Sequence, residues 1–180
     1  MFYYIIIIII IIIYILYNNI YINHNIDNIK NKETLIIFLI IKDNIKKLIE
    51  YCLKNETNKE YLTYIQNINN KIDIISMYEN NMNNNNTSYT INKGEKMIIC
   101  IRSKNDYKIH DINEIMYVII HEISHIGCPE IGHTHLFLKI NKYFLEQSIK
   151  CGIYKYDNYS KKPIEYCGIK IDNNLIDSKL

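Results

Sequence analysis

The sequence predicts an α+β fold: a small antiparallel sheet packed with helices, one of them bearing a metal-binding pattern, preceded by an N-terminal hydrophobic helix. Three observations predict it. Apolar residues recur at helical spacing over 32–53 and again over 111–127. The stretch SYTINKGEKMIICIR, Ser88–Arg102, reads as two short strands about a Lys93–Gly94 turn. HEISHIGCPEIGHTH, residues 121–135, holds four of the chain's six histidines and two glutamates. With 180 residues there is room for one well-packed domain and an appendage, so one active centre is expected.

Taken in order, the chain opens on an unbroken apolar run from Phe2 to Tyr17. These sixteen residues span roughly 24 Å as a helix, against a hydrocarbon core of roughly 30 Å. Tyrosines at both ends suit a membrane interface, and the run lacks the basic start and small-residue cleavage site of a signal peptide. Residues 1–17 are therefore read as a membrane-anchor helix, with Lys30 and Lys32 placing the remainder on the cytoplasmic side; a cytoplasmic protein is the alternative. The Asn-rich residues 18–31 read as a linker to a domain over 32–180. Within it, Leu35, Phe38, Leu39, Ile45, Leu48, Ile49 and Cys52 mark a first helix, and 59–68 a second. The polar stretch ENNMNNNNT, Glu79–Thr87, cannot bury anything and is a loop. After the two strands comes a helix over 111–126, with Asp111 and Glu114 as a capping box and Gly127 to end it in the left-handed conformation. A further helix is expected over 135–151.

Composition narrows the function. Ile and Asn dominate and Ala and Trp are absent, the mark of an AT-rich coding background. The net charge of +2 comes from scattered lysines without a like-charged run, so nucleic-acid binding is not implied. The five cysteines are odd in number and form no CxxC pair, which argues against a disulfide framework and points to a reducing compartment.

On a helix, Ile112, Ile115, Met116, Ile119, Ile120, Ile123 and Ile126 share one face, and His121 and His125 fall together outside it. The i, i+4 spacing lets both imidazoles share one metal ion, with Glu122 beside the ion as a base rather than a ligand. Catalytic zinc takes three protein ligands and leaves a position for water, so a third ligand is required. The bland alternative, structural histidines, fits poorly with two more histidines within ten residues.

HEISH followed by GHTHLF and a long amphipathic helix resembles the WLM and SprT-like zinc metallopeptidases. Their pattern is HExxH, a short loop, a third His and an aromatic residue four positions beyond it. Closer still, YTINKGEKMIICIRSK, HDINEIMYVIIHEISHIG, IGHTHLF and GIYKYDNYSKKPIEYCGI together resemble small WLM-type metallopeptidases encoded by large DNA viruses, over roughly Ser88–Ile171. The resemblance implies a minimal zincin-like domain holding Zn2+ through His121, His125 and His133. His133 stands four residues before Phe137, although the seven-residue loop Ile126–Gly132 is longer than the family's. It also implies peptide-bond hydrolysis with Glu122 as general base, a protein or peptide substrate, and an edge strand at Met97–Arg102 to pair with it. The alternative is an inactive, membrane-tethered zinc-binding module. His135 reads as a solvated residue or a helper in the cleft, Glu130 as a solvated loop residue and Cys128 as structural. Tyr154 and Tyr166 are candidates to stabilise the oxyanion. Oligomeric state is left open.

Overall fold

In the computed structural model the elements run α1 (Phe2–Asn55), α2 (Lys59–Ile72), β1 (Ser76–Glu79), β2 (Tyr89–Ile91), β3 (Lys96–Ile99), α3 (Ile112–Gly127), α4 (His135–Lys150), β4 (Ile164–Tyr166) and β5 (Ile169–Ile171). A single 3-10 turn follows at Leu175–Asp177. Residues 2–81 and 86–178 are described, with side chains for all of them except 2–7 and 19–29. The chain is α+β, and it divides into two units, Met1–Phe38 and Leu39–Leu180.

The N-terminal expectations need correction. Helix α1 is continuous through residues 18–31, so the expected linker is helical and no separate apolar helix precedes the domain. Among the described residues no helix is long and apolar enough to cross a membrane, which overturns the membrane anchor and the membrane localisation built on it. The physical reason lies in the run itself: its roughly 24 Å falls short of a bilayer core, and the helix continues straight into Asn18 and Asn19. Residues 2–7 of that segment lie outside the described side chains; Ile8 through Tyr17 are exposed.

The second unit is built as the periodicity dictates. The end of α1 buries Ile41, Ile45, Leu48, Ile49 and Cys52, while Leu39 faces solvent. Helix α2 starts at Asn58, whose side chain accepts the Glu60 amide, and buries Tyr64, Ile65, Ile68 and Ile72. Helix α3 buries Ile115, Met116, Ile119, Ile120, Ile123 and Ile126, whereas Ile112 is largely exposed. Its start follows the capping rule: the Asp111 carboxylate accepts the Asn113 amide at 2.8 Å, and Glu114 accepts the Asp111 amide.

Its end does not follow the sequence reading. Gly127 is the last helical residue and is not left-handed. A Cβ there would lie 3.1 Å from both Ile68 Cδ1 and Tyr64 O, so the glycine lets α3 approach α2 closely.

The sheet also differs from expectation. β1 pairs parallel with β3, and β2 pairs antiparallel with it, so the order is β1-β3-β2 and the sheet is mixed. The strand expected at the edge, within Met97–Arg102, is therefore the central one, and β2 is an outer strand. Sequence reasoning missed β1 because SMYE abuts the Asn-rich stretch, whose residues 82–85 lie outside the described ones.

The β4–β5 hairpin was also missed. It is tied to the end of β3 by a disulfide between Cys100 and Cys167, with Cα atoms 6.0 Å apart. That bond runs against the expectation drawn from the odd cysteine count, which argued against a disulfide framework. The two cysteines are 67 residues apart, and only the fold brings them together.

Candidate metal centre

Helix α3 supplies two of the residues that converge here. One turn apart, His121 and His125 project from the side of the helix that faces a cleft rather than the core. The chain then leaves the helix after Gly127 and loops back with His133. His133 Nε2 lies 3.0 Å from His121 Nε2 and 3.2 Å from His125 Nε2. Among the described residues these three are the group of His, Cys, Asp or Glu whose ligand atoms, all within 4.8 Å of one another, could hold a metal ion.

The returning loop is held by its main chain. The Lys93 ammonium, from the β2–β3 turn, donates to the carbonyls of Cys128, at 2.7 Å, and Glu130, one on each side of Pro129. Asn92 and Lys93 both have positive φ, 49° and 53°, an unusual backbone for non-glycine residues that brings the lysine around to the loop. Asn67 on α2 donates to the Gly127 carbonyl at 3.1 Å, and Lys71 donates to the carbonyl of Lys93. At the far end Gly132 takes φ +83°, which turns the chain into His133. Thr134 then caps α4 by accepting the Phe137 amide at 3.2 Å, and its hydroxyl donates to the Glu130 carboxylate.

Phe137, fully buried in the first turn of α4, is the floor of the group. Its ring centroid lies 4.0 Å from that of His125, 4.9 Å from His121 and 5.0 Å from His133. The four-residue spacing from His133 to an aromatic thus has a physical meaning here: one ring touches all three imidazoles.

The donor set can be tested against a metal by counting hydrogens. Three Nε2 atoms face one another, and a neutral imidazole with its hydrogen on Nδ1 presents a lone pair at Nε2. Asn141 Nδ2 lies 3.2 Å from His121 Nδ1, and Asn141 Oδ1 lies 3.4 Å from Ser124 Oγ, whose hydroxyl also donates to the Ile120 carbonyl at 2.7 Å. With the amide nitrogen and oxygen exchanged, the Ser124 oxygen would accept from Asn141 and His121 would donate from Nδ1, which leaves a bare Nε2 facing the cluster and fits a cation at the centre.

The electrostatics agree. Burial, reinforced by the two neighbouring imidazoles, lowers the pKa of His121 to about 3. Burial, with His133 and Lys93 nearby, lowers that of His125 to about 4. Both are neutral at physiological pH, the form in which an imidazole can hold a metal. Glu122 is buried and does not join the group; the Thr90 hydroxyl donates to its carboxylate at 2.9 Å. Burial raises its pKa to about 7 against the opposing hydrogen bonds from Thr90, so near neutrality it can both take and release a proton.

A cleft of about 670 Å³ lies over this group. β2 and the β2–β3 turn form one side of its lining, α3 the floor, and the β4–β5 hairpin, through Tyr166, Ile169 and Ile171, another part of the wall. The other residues singled out from sequence fall elsewhere. His135 is exposed at the start of α4 and Glu130 is exposed in the loop; neither belongs to the converging group. Cys128 is a buried free thiol. The two tyrosine hydroxyls are committed: Tyr166 donates to the Cys100 carbonyl at 2.7 Å, and Tyr154 accepts from Asn174 at 2.9 Å. Sequence reasoning missed Thr90, Lys93 and Asn141. Nothing distinguishes an asparagine or lysine with a role in a chain this rich in both.

The fold and site thus define an α+β protein with a three-histidine group able to hold a metal at the bottom of a cleft. The chain is 40% identical over 153 residues to uncharacterized protein R325 of Acanthamoeba polyphaga mimivirus, covering 84% of this chain and 78% of the relative. It belongs to the same family as that protein. It is also 38% identical over 85 residues to uncharacterized protein 042R of invertebrate iridescent virus 3, covering 46% of this chain and 50% of that one. A third relative, uncharacterized protein 136R of invertebrate iridescent virus 6, is 39% identical over 69 residues, 37% of this chain and 38% of its own length. No protein-family model matches the chain, and no solved structure matches it.

Proposed function

We propose that this protein is a zinc-dependent metallopeptidase of the zincin type, with His121, His125 and His133 as ligands and Glu122 as general base. The observation that carries the reading is the convergence of three imidazole nitrogens beside a buried, non-ligating carboxylate on the floor of a cleft. The separations of 3.0 and 3.2 Å favour a small tetrahedral ion. Zinc–nitrogen bonds of 2.0–2.1 Å at tetrahedral angles place ligand nitrogens about 3.3 Å apart.

When bound, zinc acts as a Lewis acid towards the scissile carbonyl and acidifies water. The protein does the rest. Glu122 takes the proton of the attacking water and returns it to the leaving amine, a double task suited to a pKa of about 7. Thr90 keeps the carboxylate turned towards the cleft. The substrate backbone lies between α3 and β2, the outer strand that lines the cleft and replaces Met97–Arg102 in that role.

The test is chelator-sensitive cleavage of an unfolded protein by the full chain, compared with Glu122→Gln. The variant is expected to bind one equivalent of zinc and to lose at least about 100-fold in rate, the scale of a general-base contribution. Zinc binding with no wild-type cleavage of any peptide would identify a metal-binding module instead.

A further inference from the structure

The cleft has two chemically different ends. Beyond His125, the end that approaches His133 carries the Lys93 ammonium, spent on the loop carbonyls. The other end lies one turn earlier along α3. Tyr117 and Val118 precede His121 and Glu122 by four residues, which sets them roughly 6 Å along the helix axis. Ile169 and Ile171, two apart on β5, present side chains on the same face of the strand and line the cleft together. Tyr166 completes this wall.

The side-chain polar atoms of that wall are two tyrosine hydroxyls, and both are engaged within the protein, with only the Tyr117 hydrogen left over. The Tyr117 hydroxyl accepts the Leu175 amide at 3.4 Å. The Tyr166 hydroxyl donates to Cys100 O, so its contact with Ser88 Oγ at 3.2 Å is made as acceptor. Most of the side-chain surface facing the cleft is ring and aliphatic, open to solvent at Ile169, which is 49% exposed. Exposed apolar surface beside a reacting centre gains free energy only by covering another apolar group, and it excludes a charged one, which would lose its water without a partner.

We infer that Tyr117, Val118, Tyr166, Ile169 and Ile171 form the specificity subsite of this cleft and accept a bulky aliphatic or aromatic side chain next to the scissile bond. The inference rests on the peptidase reading for the word scissile, but the recognition it describes is a binding property of the wall. Substrates are then peptides that expose apolar residues, as in unfolded or extended chains rather than charged surface loops.

The experiment uses the full-length Glu122→Gln protein loaded with zinc, so that binding is read without turnover. Fluorescence anisotropy compares peptides identical except for Leu, Phe, Asp or Lys at one central position. The Leu and Phe peptides are expected to bind about 10- to 100-fold more tightly, the range that burying such a side chain supplies. Adding Val118→Asp on α3, or Ile169→Asp on the exposed hairpin, is expected to abolish that preference and to raise affinity for the Lys peptide. The hairpin variant keeps the test usable if the helix variant folds poorly. Equal binding of all four peptides, or an unchanged preference in the folded double variants, overturns the subsite. Wild-type cleavage of the same peptides is scored separately: selective binding without cleavage would refute the peptidase and leave the apolar subsite standing.

Discussion

At the scale of single residues, the ligand assignment separates His133 from His135. Both follow the HEISH helix within ten residues, and only His133 reaches the cluster, because Gly132 reverses the chain just before it while His135 begins α4 and points to solvent. Replacing His121, His125 or His133 with alanine should each reduce zinc stoichiometry well below one. His135→Ala should leave it unchanged, as measured by elemental analysis after dialysis. A second residue-scale prediction concerns His110, outside the metal group. It is buried, its ring stacks on Tyr166 at 4.6 Å, and its Nε2 accepts the Cys167 amide at 3.3 Å. Burial lowers its pKa despite Glu165 and Asp106 nearby. Its folded pKa thus lies below the unfolded value of about 6.5, so its contribution to stability is intact above that pH and is lost as pH falls through it. Its other carboxylate neighbour, Glu114 at 3.7 Å, has a raised pKa through burial and changes in the opposite sense at lower pH. In chelated protein, the thermal midpoint of the wild type should therefore fall more steeply from about pH 7 to about 5 than that of His110→Gln, which keeps an acceptor without the charge.

At the scale of elements, the β2–β3 turn and the loop from α3 to α4 act as one piece. Lys93 grips the loop by two carbonyls and Lys71 grips Lys93 from behind, so the position of His133 depends on side chains from a different part of the fold. Lys93→Met should weaken zinc affinity about 10- to 100-fold, the usual cost of removing a group that orients a ligand. In a His133→Ala background the same change should cost little more, because the clamp then has no ligand to place; a chelator competition measures both. This element also shows where sequence reading stops. Helix α3, its capping residues and the placement of His121 and His125 off its buried face were legible, since each follows from local periodicity and local hydrogen bonding. The clamp was not, because it joins residues about the β2–β3 turn to a loop 35 and 37 positions away. Nor was the role of Gly127: a helix-ending glycine and a close-packing glycine look alike until α2 is known to lie against it.

At the scale of the molecule, long-range closure decides what the cleft is. The disulfide from Cys100 to Cys167 joins the central sheet to the hairpin across 67 residues, a separation for which loop-closure entropy gives about 4 kcal/mol. The double variant Cys100→Ser, Cys167→Ser should unfold in denaturant with a stability lower by about 2–4 kcal/mol. Odd cysteine number concealed this pair, since Cys52, Cys128 and Cys151 remain free beside it. The apolar N-terminal run misled in the opposite direction. Its composition suggested a bilayer, and its length, with polar asparagines following at once in the same helix, denies it one.

The metal group and the cleft wall differ in how much chain must be organised to make each. His121, His125 and His133 all lie on one helix and the loop that leaves it, so their convergence closes a short loop and needs, beyond it, only the Lys93 clamp from the β2–β3 turn. The hairpin wall faces them only after the chain between Cys100 and Cys167 has been brought around. During folding, the three histidines and their clamp can therefore come together while the wall is still absent. A molecule caught in that state would present its histidine group without any means of choosing what it meets.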